Sequence, residues 1–112
     1  MKDKSADTSV MPQLADRQLL SARVRLPQHV VYRSFVAETV VLNLRTGKYH
    51  GLNPTAGRML DALATAPKAG VVAPELAQEY GVEPAKVESD LLALCQGLLE
   101  RGLIEIVDAD PA

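Results

Sequence analysis

Asn53-Pro54-Thr55 divides this chain into two parts with different residue periodicities, and that division limits the folds open to it. Before it, Val30-Val31-Tyr32 and Thr39-Val40-Val41-Leu42 are β-branched or aromatic runs of strand length. Arg45-Thr46-Gly47-Lys48 supplies a glycine where a tight turn needs positive φ, and Lys48 to Leu52 follows as a third short strand. The junction Phe35-Val36-Ala37-Glu38 has no Gly, Asn or Asp to mark the first hairpin. Strands joined by such short connections pair in sequence order, so a three-stranded antiparallel meander is predicted.

After the division the spacing becomes helical. Asn53 is placed to accept from the free N–H groups of a first turn, and Pro54 at the first helical position loses no intrahelical bond. The helix is predicted to run to about Ala66, with Ala56, Met59, Leu60 and Leu63 on one buried face. Pro74 suits the start of a second, short helix from Glu75 to Tyr80, stopped by Gly81. Pro84 opens a third that ends at Arg101, with Gly102 as its stop and Leu103 to Val107 as a final extended segment. On that third helix Val87, Leu91, Leu94 and Leu98 form one stripe, widened by Leu92, Cys95 and Leu99.

The fold class expected is therefore α+β: a winged helix-turn-helix with an N-terminal three-stranded antiparallel sheet followed by three helices. Residues 1–26 mix charged and polar side chains with little sustained period and read as a flexible N-terminal arm, in which Leu14, Leu19 and Leu20 support a short helix at most. Residues 27–107 form the domain and 108–112 a C-terminal tail.

Composition narrows the chemistry. Hydrophobic residues make up 47% of the 112, yet with one Phe, three Tyr and no Trp the interior has to be aliphatic. Cys95 is the single cysteine, so no internal disulfide forms, and its place on an apolar helical stripe makes it a small core hydrophobe. His29 and His50 fall at a strand entry and within a strand, without the carboxylate or thiol spacing of a metal site. No H-E-x-x-H, G-x-S-x-G or P-loop pattern occurs, so the chain is expected not to be an enzyme and to need no metal or organic cofactor. No apolar run approaches membrane-spanning length and the first residues lack a secretory apolar stretch, which points to the cytoplasm and away from membranes.

The formal charge of −2 conceals an asymmetry: up to Asn53 the balance is +4, and from Pro54 onward it is −6. The segment Ala73 to Val107 has the spacing of a helix-turn-helix with a wing, and a winged-helix DNA-binding regulator is the alternative reading. Between Ala73 and Arg101, however, the cations are Lys86 and Arg101 alone, against Glu75, Glu79, Glu83, Glu88, Asp90 and Glu100. Such a surface repels duplex, and no nucleic-acid partner is expected.

The order of segments resembles the PqqD family, named for pyrroloquinoline quinone synthesis protein D. The resemblance is carried by the stretch LNLRTGKYHGLNPT from Leu42 to Thr55, then Tyr80-Gly81-Val82, Asp90-Leu91-Leu92 and Gly102-Leu103-Ile104, and it covers about residues 26 to 107. It implies a RiPP recognition element: a small non-catalytic domain that binds the leader of a ribosomally made precursor peptide and presents it to a modifying enzyme such as a radical-SAM maturase. The pathway, whether pyrroloquinoline quinone, lasso peptide or another, stays open, as does a homodimer.

Physical reasoning adds where a leader would lie. The third strand of a meander is an edge, and an extended peptide pairs with free N–H and C=O groups there. The candidate peptide-binding residues are thus Lys48, Tyr49, His50 and Gly51, with Val87, Asp90, Leu91 and Leu94 of the third helix as the opposing wall. A His50→Pro change is expected to abolish binding without unfolding the domain, provided that the His50 N–H points to the open edge. Equally open is an edge blunted by Lys48 and His50 against aggregation, with those aliphatics in the core and Asp90 merely solvated.

Overall fold

The computed structural model describes residues 16–107. The element order is α1 (Asp16–Ser21), β1 (Arg23–Arg25), β2 (Val30–Ser34), β3 (Thr39–Asn43), β4 (Tyr49–Leu52), α2 (Pro54–Thr65), a 3-10 turn (Ala69–Val71), α3 (Val72–Tyr80), α4 (Pro84–Glu100) and β5 (Glu105–Val107). The predicted meander is present: β2, β3 and β4 form one antiparallel sheet with β3 in the centre. A second, two-stranded sheet pairs β1 with β5, Val24 opposite Ile106.

Local chemistry explains the turns. Between β3 and β4, the Asn43 Oδ1 accepts from the N–H groups of Arg45 and Thr46, and Gly47 takes φ +77°. The β2–β3 hairpin needs no glycine because Phe35 to Glu38 makes a four-residue connection closed by Phe35 N–H donating to the Glu38 carbonyl at 2.7 Å. Asn53 caps α2 as expected, its side chain accepting from Ala56 N–H at 2.8 Å. Gly81 and Gly102, both in the left-handed region, stop α3 and α4.

Two expectations are corrected. Helix α3 begins at Val72, not Glu75: the 3-10 turn leads straight into it, and Pro74 sits in the first turn, where its missing N–H has no partner to lose. The arm expected over 1–26 is folded from Asp16. Leu19, Ala22 and Val24 are buried, Ala69 N–H donates to the Ala22 carbonyl, and Arg25 pairs with Glu105 across the small sheet. Leu14 lies outside the described residues.

The core is aliphatic, as the composition requires. Leu19, Val24, Val41, Leu60, Leu63, Val72, Leu76, Leu91, Cys95 and Leu103 are its largest fully enclosed side chains. Cys95 is a free thiol inside it, and burial pushes its pKa up to about 12. Among the described residues one face of the large sheet is covered: Val30 and Val41 are buried, α2 packing on β3 and β4, while Val31, Phe35 and Tyr49 are exposed. Among the described residues no helix is long and apolar enough to cross a membrane.

Candidate functional site: an open strand edge beside an apolar groove

Among the described residues strand β4 pairs only with β3, so one side of it is open. Which of its backbone groups face that side follows from the register. Asn43 N–H donates to the Lys48 carbonyl at 2.9 Å, and beyond it Leu42 stands opposite Tyr49, Val41 opposite His50, Val40 opposite Gly51 and Thr39 opposite Leu52. Hydrogen-bonded and non-hydrogen-bonded pairs alternate in an antiparallel ladder. His50 and Leu52 therefore direct their N–H and C=O groups at β3, and Tyr49 and Gly51 direct theirs at the open edge. The condition attached to His50→Pro is thus not met: the His50 N–H belongs to the sheet's own ladder.

Strand β4 leads directly into α2, and the first turns of α2, the α3–α4 turn and the first turns of α4 enclose a groove of about 310 Å³, lined by Thr55, Met59, Tyr80, Val82, Lys86, Val87 and Asp90. Its elements are held by sequence-local devices. Strand β4 runs into α2 through the Asn53 cap, which places Thr55 and Met59; Gly81 at φ +68° turns the chain so that Tyr80 and Val82 flank the groove. Helices α2 and α3 are tied by Arg58, whose guanidinium donates twice to the Glu79 carboxylate at 3.1 and 3.0 Å. On the sheet side, the Tyr32 hydroxyl donates to Asp61 of α2 at 3.0 Å; partial burial, then that bond and the Asp61 charge, raise the phenol's pKa.

The residues singled out from sequence divide between edge, groove and core. Lys48, Tyr49 and Gly51 are exposed at the edge strand and the turn before it, and His50 is half-buried. Val87 and Asp90 line the groove, with the Asp90 carboxylate already paired to Lys86 Nζ at 2.9 Å. Leu91 is fully buried in the core, and Leu94 packs partly buried against it. Sequence reasoning missed Thr55, Met59, Tyr80, Val82 and Lys86. The signal available was the pair of large apolar residues bracketing Gly81, since a turn seldom carries two exposed apolar side chains without a use for them.

Chemically this arrangement can hold an extended chain. Among the described residues no group of three or more His, Cys, Asp or Glu is placed to hold a metal ion. The exposed side of α4 carries Glu88, Asp90 and Glu100 against Lys86 and Arg101.

Fold and site together define a small winged-helix-like α+β domain with, among the described residues, an unpaired strand edge and an apolar groove at the start of the helix that follows it. The chain belongs to the PqqD family: the model of coenzyme PQQ synthesis protein D matches residues 38–104. Among solved structures it is similar to a lasso peptide synthetase B1 complexed with its leader peptide, at 32% identity and a TM-score of 0.68 over 75% of this chain and 99% of that one. It is also similar to TbiB1 in complex with the TbiA(beta) leader peptide, at 28% identity and a TM-score of 0.66 over 72% of this chain and 94% of that one. No match is found among curated proteins.

Proposed function

We propose that this chain is a RiPP recognition element that binds the leader of a ribosomally made precursor peptide as an added strand on β4 and presents it to a modifying enzyme. The observation that carries this reading is the conjunction of two outward-facing backbone positions, Tyr49 and Gly51, with an apolar groove at the start of α2, the helix that follows β4. Backbone pairing supplies affinity for any extended peptide, and side chains seated in the groove supply selectivity. That the similar solved structures are complexes with leader peptides supports the same reading. The role is non-catalytic: the domain lends position, and the covalent chemistry falls to a partner such as a radical-SAM maturase.

The test is a titration of the leader segment of the cognate precursor, followed by amide NMR. Strand addition on β4 predicts the largest amide shifts at Tyr49 and Gly51, with methyl shifts at Val82 and Val87. Saturable binding with shifts confined to the β1–β5 sheet moves the site elsewhere, and absence of binding sinks the reading.

A further inference from the structure

Gly51 lies inside a strand and is not among the glycines with positive φ, which are Gly47, Gly81 and Gly102 among the described residues. Backbone conformation therefore does not call for it. What lies over it is a side chain: a Cβ built on Gly51 falls 2.8 Å from Oε1 of Glu38, the far end of an exposed and flexible side chain. The Glu38 carboxylate thus lies directly over Gly51 of β4. It is exposed, and no hydrogen bond or ion pair with another described residue engages it.

The register says which face this is. Arg33, Val40 and Gly51 form one cross-strand row and Val31, Leu42 and Tyr49 another, both on the solvent side of the sheet, whereas Val41 of the intervening row is buried. A residue of an added strand directly opposite Gly51 projects its side chain on that same solvent face, whether the strand runs parallel or antiparallel to β4. Neighbouring strands lie about 5 Å apart, a gap that a Lys or Arg stem spans.

We propose that Glu38 is a specificity-determining residue that selects a precursor leader with a Lys or Arg at the solvent-facing position opposite Gly51. The inference rests on the strand-addition reading above and deepens it: the leader is read on two faces, by the apolar groove below and by a carboxylate above. The surrounding charge makes the choice pointed. From Arg23 to Asn53 the described chain holds five cations and Glu38 as its one acid, and of the carboxylates near the sheet Asp61 is engaged by Tyr32 and Arg58 and Glu105 by Arg25, which leaves Glu38 available to a basic leader residue.

The experiment uses the full chain and a displayed library of random 12-residue peptides, selected in parallel on the natural protein, Glu38→Lys and Glu100→Lys. Glu100 is exposed near the end of α4, so the last variant makes the same change in net charge away from the edge. The expected result is a basic preference at one position with the natural protein, kept by Glu100→Lys and reversed to Asp or Glu by Glu38→Lys. In calorimetry, exchanging that Lys for Glu in a selected peptide weakens binding to the natural protein by about threefold to tenfold, and Glu38→Lys restores it. Peptides enriched without a basic position, or an equal response of both variants, overturn the role of Glu38 and leave strand addition standing. If no peptide is enriched even by the natural protein, strand addition itself fails and this inference goes with it.

Discussion

Gly57 of α2 sits directly against Thr39 of β3, so close that a Cβ on the glycine would overlap the threonine hydroxyl and approach its Cβ to 2.8 Å. Thr39 is buried, and its hydroxyl is held in a 3.0 Å hydrogen bond with Ser34 Oγ. The contact sets how near helix and sheet approach, and hence how β4 and Thr55 enter the site.

Gly57→Ala is accordingly expected to destabilise the domain although alanine favours a helix. Overpacking at a buried contact costs about 1–3 kcal/mol, and helix propensity returns up to about 1 kcal/mol. A net loss of about 1–2 kcal/mol follows, readable as a lower denaturant midpoint at unchanged slope. A Gly57→Ala variant as stable as the natural chain removes Thr39 from this role.

Proline scanning of β4 separates the two sides of the strand. Tyr49→Pro removes an N–H that faces the open edge, at the first residue of the strand, where proline is tolerated. It is expected to leave the melting temperature within a few degrees of the natural chain while reducing leader affinity by about tenfold or more. His50→Pro removes a bond to β3 and is expected to lower stability itself by about 3 kcal/mol. Thermal denaturation alongside calorimetry distinguishes the two, and equal stability of both variants would contradict the register.

Within the groove, Tyr80 and Val82 are each 46% exposed, so truncating them removes little core. Tyr80→Ala is expected to weaken leader binding by about tenfold or more, as loss of an aromatic anchor does, with the fold intact. Asp90→Ala is expected to cost about twofold, because its carboxylate is already occupied by Lys86. A larger loss for Asp90→Ala than for Tyr80→Ala in the same calorimetric series would reverse the ranking of charge and packing here.

Cys95 gives a pH prediction. Burial holds the folded thiol near 12 against an ordinary value of 9.0, so the folded state keeps a proton that the unfolded chain releases. Above the unfolded pKa the unfolded state binds fewer protons, and stability falls as pH rises from about 9 toward 12. Between pH 9 and 10 this group contributes a loss of about 1 kcal/mol. Comparing urea unfolding of the natural chain with Cys95→Ala across that interval isolates it; identical slopes would mean that the thiol is not shielded.

The meander and α2 were legible because each rests on residues close in sequence: the β-branched runs, the Arg45-Thr46-Gly47-Lys48 turn and the Asn53-Pro54 cap. Pairing of β1 with β5 was not legible, since each strand has three residues and its partner is about 80 positions away. With so short a period, Arg23-Val24-Arg25 is indistinguishable from a polar arm. In the site, strand β4 was found by the same local signals, but the wall opposite was misplaced in part. A helical stripe shows that Leu91 faces something apolar without showing whether that is the core or a groove. Only the packing of α2 and α3 against α4 buries both Leu91 and Val87 in the core, with Val87 also lining the groove. The edge polarity of β4 needed one bond, Asn43 to Lys48, that fixes the parity of the whole strand.

The β1–β5 sheet has a consequence for how the domain is closed. Arg23 stands opposite Val107, so the backbone enters the small sheet and leaves it at neighbouring points, the intervening residues forming a closed circuit. The two ends of that circuit are clamped to each other by the small sheet, and α1, outside the circuit, is fixed to it through the buried Leu19.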